Sequence, residues 1–262
     1  SLLLGVFNNL DAVISYYYLF GDDSLTGDGF ADQRNAFIQR YEEIAWRQVR
    51  ETDAASDLQK SWFDSLIYNT QSETGLNRLA ELLNGTTSVD GLDIDQDRRW
   101  SLVTHLGSYH YPNSAQLIEQ ERLKDPSDQG AKAALGARVA SASIEDKAAY
   151  LLESQNLENS LELAERNQIT RHLFQRNRPE AQRALLADAL GAIQPLDQQA
   201  EQQVSRGYVR GLTHGYCSLQ SVELLQQALT NNQRATLSTI KVLRVAIQED
   251  QRCIDIKNLL KQ

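Results

Sequence analysis

Apolar residues recur at three- and four-residue spacing along most of this chain, and short clusters of Ser, Asn, Asp, Gly or Pro interrupt them. That spacing lays side chains along one face of an α-helix and is incompatible with the two-residue alternation of a half-buried strand. In residues 30–50 the stripe is Phe37, Ile38, Tyr41, Ile44 and Ala45; in 57–69 it is Leu58, Trp62, Leu66 and Tyr68. A third helix, over 73–84, stops at Asn84-Gly85, where glycine accepts the left-handed conformation that ends helices. After a loop from Val89 to Asp97, a helix carries Trp100, Val103 and Leu106.

Punctuation predicts the remaining boundaries. Asn113 is expected as an N-cap with Gln116 in the capping-box position, and Asp125-Pro126 ends that helix. Residues 131–140 form a small-residue helix suited to close packing, and Ser143-Ile144-Glu145-Asp146 starts the next. Asn177-Arg178-Pro179 starts a helix that buries Leu185, Leu186 and Leu190. Further helices are expected near 196–210, 218–229, 233–248 and 250–260. Residues 14–20 have strand composition but also suit a buried helix.

Short loops between helices make pairs of roughly 30–45 residues, the layout of helical-repeat solenoids. The expected fold is all-α, an α-solenoid-like superhelix of antiparallel helix pairs of the HEAT/armadillo kind. Only four prolines occur, Val, Ile and Phe are scarce, and no linker-like run divides the chain. Residues 1–262 therefore read as one helical-repeat domain, with 1–28 left open. The chain starts at Ser1 and has no methionine, which we read as the mark of a fragment.

A formal net charge of −9 without a basic run argues against nucleic acid as a partner, because phosphate binding draws on clustered Lys and Arg. An acidic balance permits a chamber that attracts cationic ligand ends. Apolar stretches such as 2–7 are too short to span a bilayer, and no secretory signal pattern is visible. A cytoplasmic protein without membrane association is expected, with Cys217 and Cys253 as reduced thiols.

No catalytic, cofactor-binding or metal-ligating set is complete. His105 and His110 are five apart, which does not stack two ligands on one helix face. Asp93, Asp95 and Asp97 open like a calcium loop, but Arg98 stands where its glycine belongs and Thr104 where its glutamate belongs. Those acids are better placed at a helix N-terminus. His214 near Cys217 makes no dyad by proximity in sequence, and Gly27-Asp28-Gly29 lacks a phosphate-loop lysine.

Residues 83–100, Leu-Asn-Gly-Thr-Thr-Ser-Val-Asp-Gly-Leu-Asp-Ile-Asp-Gln-Asp-Arg-Arg-Trp, are more specific. They resemble a signature in the C-terminal helical domain of aminopeptidase N family zinc peptidases, especially bacterial members. The likeness runs on through Ile118 to Ser127 and through Ala142 to Ala148, where Lys147 matches the family's "P-(T/S)-x-x-x-K" helix start. Its signature positions here are Gly91, Leu92, Asp95, Asp97, Arg99, Trp100, Glu121 and Asp125. Two positions depart from the pattern: Arg98 replaces the usual leucine, and Ala142-Ser143 stand where a proline is common. The resemblance implies structural roles: Trp100 buried between helices, and Arg99 paired with a capping acid such as Asp95.

It further implies a non-catalytic domain that caps an active-site chamber and restricts peptide access. Zinc and its ligands would lie in an upstream catalytic domain of the same polypeptide, absent from this chain, and peptides would be the substrates of the whole enzyme. The alternative is an independent helical scaffold that binds a protein partner in a concave groove.

Overall fold

In the computed structural model, which describes residues 30–213 and 215–259, the described residues form thirteen helices and no strand. In chain order they are α1 (Phe30–Glu51), α2 (Asp57–Asn69), α3 (Glu73–Asn84), α4 (Gln96–Ser108), α5 (Ser114–Lys124), α6 (Asp128–Ser141) and α7 (Ile144–Gln155). Then follow α8 (Leu163–Leu173), α9 (Pro179–Gly191), α10 (Ile193–Gln199), α11 (Gln202–Leu212), α12 (Leu219–Asn231) and α13 (Leu237–Leu259). The open assignment at 14–20, the turn at 27–29 and His214 lie outside the described residues.

Local chemistry sets many helix starts. Ser56, Ser72, Asp95, Ser127, Ser143 and Ser218 each accept a bond from the backbone N–H three residues on. Each such cap contributes about 1 kcal/mol by satisfying one of the helix's orphan donors. Gly85 ends α3 at φ 80°.

The helices stack as a two-layer solenoid. In one layer α2, α4, α6, α8, α11 and α13 pack each against the next. Behind them lie α5, α7, α9 and α12, with α7 against α9 and α9 against α12. Small residues bring α4, α6 and α8 close. A Cβ at Gly107 would sit 3.3 Å from the Ser141 Cβ, and one at Gly136 would sit 2.8 Å from Oε1 of Gln168. Two apolar cores meet on α6: Ala134 and Ala137 belong to the first, which runs from Ile38, and Val139 to the second, which reaches Ala246.

The structure corrects several expectations. Helix α8 has no counterpart in the sequence reading, because its buried face alternates Arg166 and Thr170 with Ile169 and Leu173, which weakens the apolar stripe. The helix expected at 196–210 is two, α10 and α11, broken where Ala200 turns extended. Expected helices 233–248 and 250–260 are one, since the polar Asp250 is buried and accepts bonds from Tyr216, Cys217 and Ser221 rather than ending the helix. Asn113 sits at φ 62° and makes no side-chain cap bond. Cys217 and Cys253 are not thiols but a disulfide, their Cα atoms 5.4 Å apart, because the 215–218 segment folds back onto α13.

Candidate functional site

The layer of α2, α4, α6 and α8 presents a groove of about 700 Å³. Helical periodicity builds it. On α4, Asp97, Ser101, Thr104, His105 and Ser108 face the groove, while Leu102, Val103 and Leu106 on the other side enter the core. On α8 the same spacing gives Gln168, Arg171 and His172. Asp64 and Tyr68 of α2 close one end, and residues 174–177 the other.

The charged residues that line it are Asp64 on α2, Asp97 on α4, Arg171 on α8 and Arg176 just after α8. Arg98 grips Asp64 through two bonds, Nε to Oδ1 at 2.7 Å and Nη2 to Oδ2 at 2.9 Å, and also pairs with Asp95. Asp64, with Asp95 beside it, holds the Arg98 guanidinium above its ordinary value despite partial burial. His105 donates from Nε2 to the Thr70 carbonyl at 2.7 Å. Burial pushes its pKa down to about 4, against the raising effect of that bond, so the imidazole is neutral near pH 7. Its ring centroid lies 4.9 Å from that of Tyr109, whose hydroxyl is pushed well up by burial and by the charges of Glu42 and Tyr68. His110 does not join His105; it occupies the following turn at φ 51°.

Of the eight signature residues, Asp97 and Trp100 line the groove. Gly91 turns at φ 70° against Ala54 and Ala55, where a Cβ would run into backbone. Next to it, Gln59 donates to the Val49 and Asp90 carbonyls at 3.0 and 2.9 Å, and Leu92 packs on the first core. Asp95 caps α4.

Arg99 pairs with Glu121, not with Asp95 as expected: Asp95 points back at its own helix start, whereas Glu121 faces α4 from α5. Trp100 is buried, as expected, and its indole N–H donates to Asp125 at 2.8 Å. Asp125 also accepts from the Ser127 hydroxyl at 2.6 Å, and Ser127 caps α6. These residues thus fasten α4 to α5 and α6 while leaving α4's other face to the groove.

Lys147 fastens the next joint. Fully buried, its ammonium donates to the carbonyls of Val139 at 2.8 Å, Leu173 at 2.7 Å and His172 at 3.2 Å, joining the C-terminal ends of α6 and α8. Across the groove's end Asn177 donates to the Ser108 carbonyl at 3.0 Å. Sequence reasoning did not reach the α8 wall, because the helix itself was not anticipated.

Among the described residues no group of three His, Cys, Asp or Glu side chains is placed to hold a metal ion, so a zinc ion has no donor set there. No described helix is long and apolar enough to cross a membrane.

The described helices thus form a two-layer solenoid with an open groove on one layer, and the hydrogen bonds of Arg99 and Trp100 join α4 to α5 and to the turn that leads into α6. Residues 3–249 match the family model described as ERAP1-like C-terminal domain. The chain belongs to this family, the helical C-terminal domain of aminopeptidase N-like enzymes. A stretch of 133 residues, 50% of the chain, is 29% identical to Aminopeptidase N of Streptomyces lividans. The match spans 16% of that relative's length.

Proposed function

We propose that the chain is the non-catalytic C-terminal part of a zinc aminopeptidase, and that its grooved layer walls the active-site chamber and restricts which peptides reach it. Membership of the family over residues 3–249 carries this reading. The groove supports it: it runs across α2, α4, α6 and α8, and its lining mixes aromatic side chains such as Tyr68, Trp100 and Tyr109 with hydrogen-bonding ones such as Ser101, Thr104 and Gln168, as an extended peptide requires. In this reading zinc and the water it activates are supplied by a catalytic domain of the same polypeptide, and the residues here orient and admit substrate.

The test compares the chain alone with the full-length gene product on leucyl- and alanyl-anilides and on peptides of increasing length. The expected result is an inert, metal-free chain and a zinc-dependent full-length enzyme. Filling the groove with Ala133→Trp then lowers kcat/KM for long peptides and leaves the anilides unchanged. Hydrolysis by the chain alone would refute the non-catalytic role. A full-length product without peptidase activity would favour an independent scaffold that binds a protein in the groove.

A further inference from the structure

We infer that the Cys217–Cys253 disulfide is a structural latch on the last helices of the solenoid, and that the chain completes its fold under oxidising conditions. Both cysteines are buried, Cys217 at 2% and Cys253 at 0% exposure, and together they form a small core separate from the two main ones. The bond joins the segment after α11 to the middle of α13 across 36 residues. Cys217 holds φ 54°, a conformation that a non-glycine residue keeps only where its surroundings enforce it.

The surroundings are specific. Asp250, one turn before Cys253 on α13 and fully buried, accepts from the Tyr216 and Cys217 backbone N–H groups at 2.7 and 3.1 Å and from the Ser221 hydroxyl at 2.5 Å. Carboxylate and sulfur bridge therefore fix the same few residues of loop to the same turn of helix. A neighbouring small cluster, Val222 with Ile254, continues this seam between α12 and α13.

The second core reaches α12 and α13 through Leu225, Ala228, Leu243 and Ala246, and the bridge lies beyond it, at the segment that enters α12. The bridge adds to that packing a constraint of its own, by removing unfolded conformations of the loop that it closes. Because neither sulfur is accessible, exchange with external thiols needs the loop to open first. That is the behaviour of a structural disulfide rather than of a redox switch. Disulfides of this kind form and persist outside the thiol-reducing cytosol.

Opening the bridge needs a dithiol reductant. The S–S bond breaks, two electrons and two protons pass to the protein, two cysteine thiols form, and the reductant closes to its own disulfide. The experiment isolates the chain without reductant and alkylates it in denaturant before and after dithiol treatment. It also compares thermal unfolding and amide hydrogen exchange of the oxidised and reduced forms.

The expected result is no alkylation before reduction and two alkylated cysteines after it. The reduced form melts on the order of 10 °C lower. The Tyr216 and Cys217 amides exchange at least about tenfold faster, while those of Leu102 and Leu106 in the first core are unchanged. Chain produced in a reducing cytosol carries thiols and gains the missing stability on oxidation. Two free thiols in chain made in an oxidising compartment, or equal melting and exchange of both forms, would overturn the inference. Cys217→Ser repeats the comparison genetically, and reduction of the unmodified chain decides the matter if that variant does not fold. None of these readouts depends on peptidase activity.

Discussion

Arg99 on α4 and Glu121 on α5 meet through two parallel bonds, Nε to Oε1 and Nη2 to Oε2, both 2.7 Å long. The same guanidinium reaches the Leu83 carbonyl at 3.2 Å, so one side chain joins three helices of the first core. Glu121 is 2% exposed, and burial opposes its charge; the bonds from Arg99 and Gln96 outweigh burial and hold its carboxyl below the usual range.

Removing one partner strands the other. Arg99→Leu is expected to destabilise the fold by about 3 kcal/mol, because it leaves a buried carboxylate with Gln96 and the more distant Lys124. The double variant Arg99→Leu/Glu121→Leu is expected to recover at least about half of that. Urea unfolding of the four-member cycle checks this; equal losses in the single and double variants would disprove it.

Gly91 and Gly85 both have positive φ, at 70° and 80°, but only Gly91 is crowded. Gly85→Ala is expected to cost about 1 kcal/mol, from backbone conformation alone. Gly91→Ala adds a collision with the Ala55 backbone and is expected to cost at least about 2 kcal/mol more. Denaturation midpoints of the two variants decide it, and similar losses would show that the 85–95 loop yields easily.

Burial, reinforced by the nearby Arg178 guanidinium and opposed by Glu180, pushes the Lys147 ammonium down to about 7. Between that value and the unfolded lysine's ~10.4, the unfolded chain binds more protons, so this group's contribution to stability rises with pH. Lys147→Met removes three donated bonds and is expected to destabilise by about 2–4 kcal/mol. The Tm gap between the native chain and Lys147→Met is expected to widen from pH 7 to 9. A gap that stays constant would mean that the three carbonyls keep the amine charged.

His105 acts on the acid side. Its folded pKa of about 4 lies below the ordinary 6.5, so its contribution is complete above pH 6.5 and is lost as pH falls from there to about 4. The loss is at most about 3 kcal/mol. His105→Gln can keep a donor toward Thr70 and is expected to flatten the fall of Tm between pH 6.5 and 4.5. An unchanged slope would assign the acid sensitivity to other groups.

The helical character and most of the early boundaries were legible because their causes are local. Ser56, Ser72, Asp95, Ser127 and Ser143 cap amides three residues away, and the apolar stripes need only the pitch of the helix. Where a buried face was partly polar, as with Arg166 and Thr170 on α8, that local signal failed. There Arg166 satisfies the Ser154 carbonyl at 2.9 Å and Asn159 Oδ1 at 2.6 Å, a role visible only once α7 and α8 are side by side.

By itself, then, the sequence determined an all-helical chain, the Ser143 cap and the acidic start of α4, and a signature whose Trp100 is buried. Tertiary structure decided which carboxylate Arg99 grips, which carbonyls Lys147 joins, that Cys217 meets Cys253, and which stripe of α4 faces a groove. Capping and periodicity act over one turn of chain, whereas these partners lie 8 to 36 residues apart and are chosen by how the layers pack.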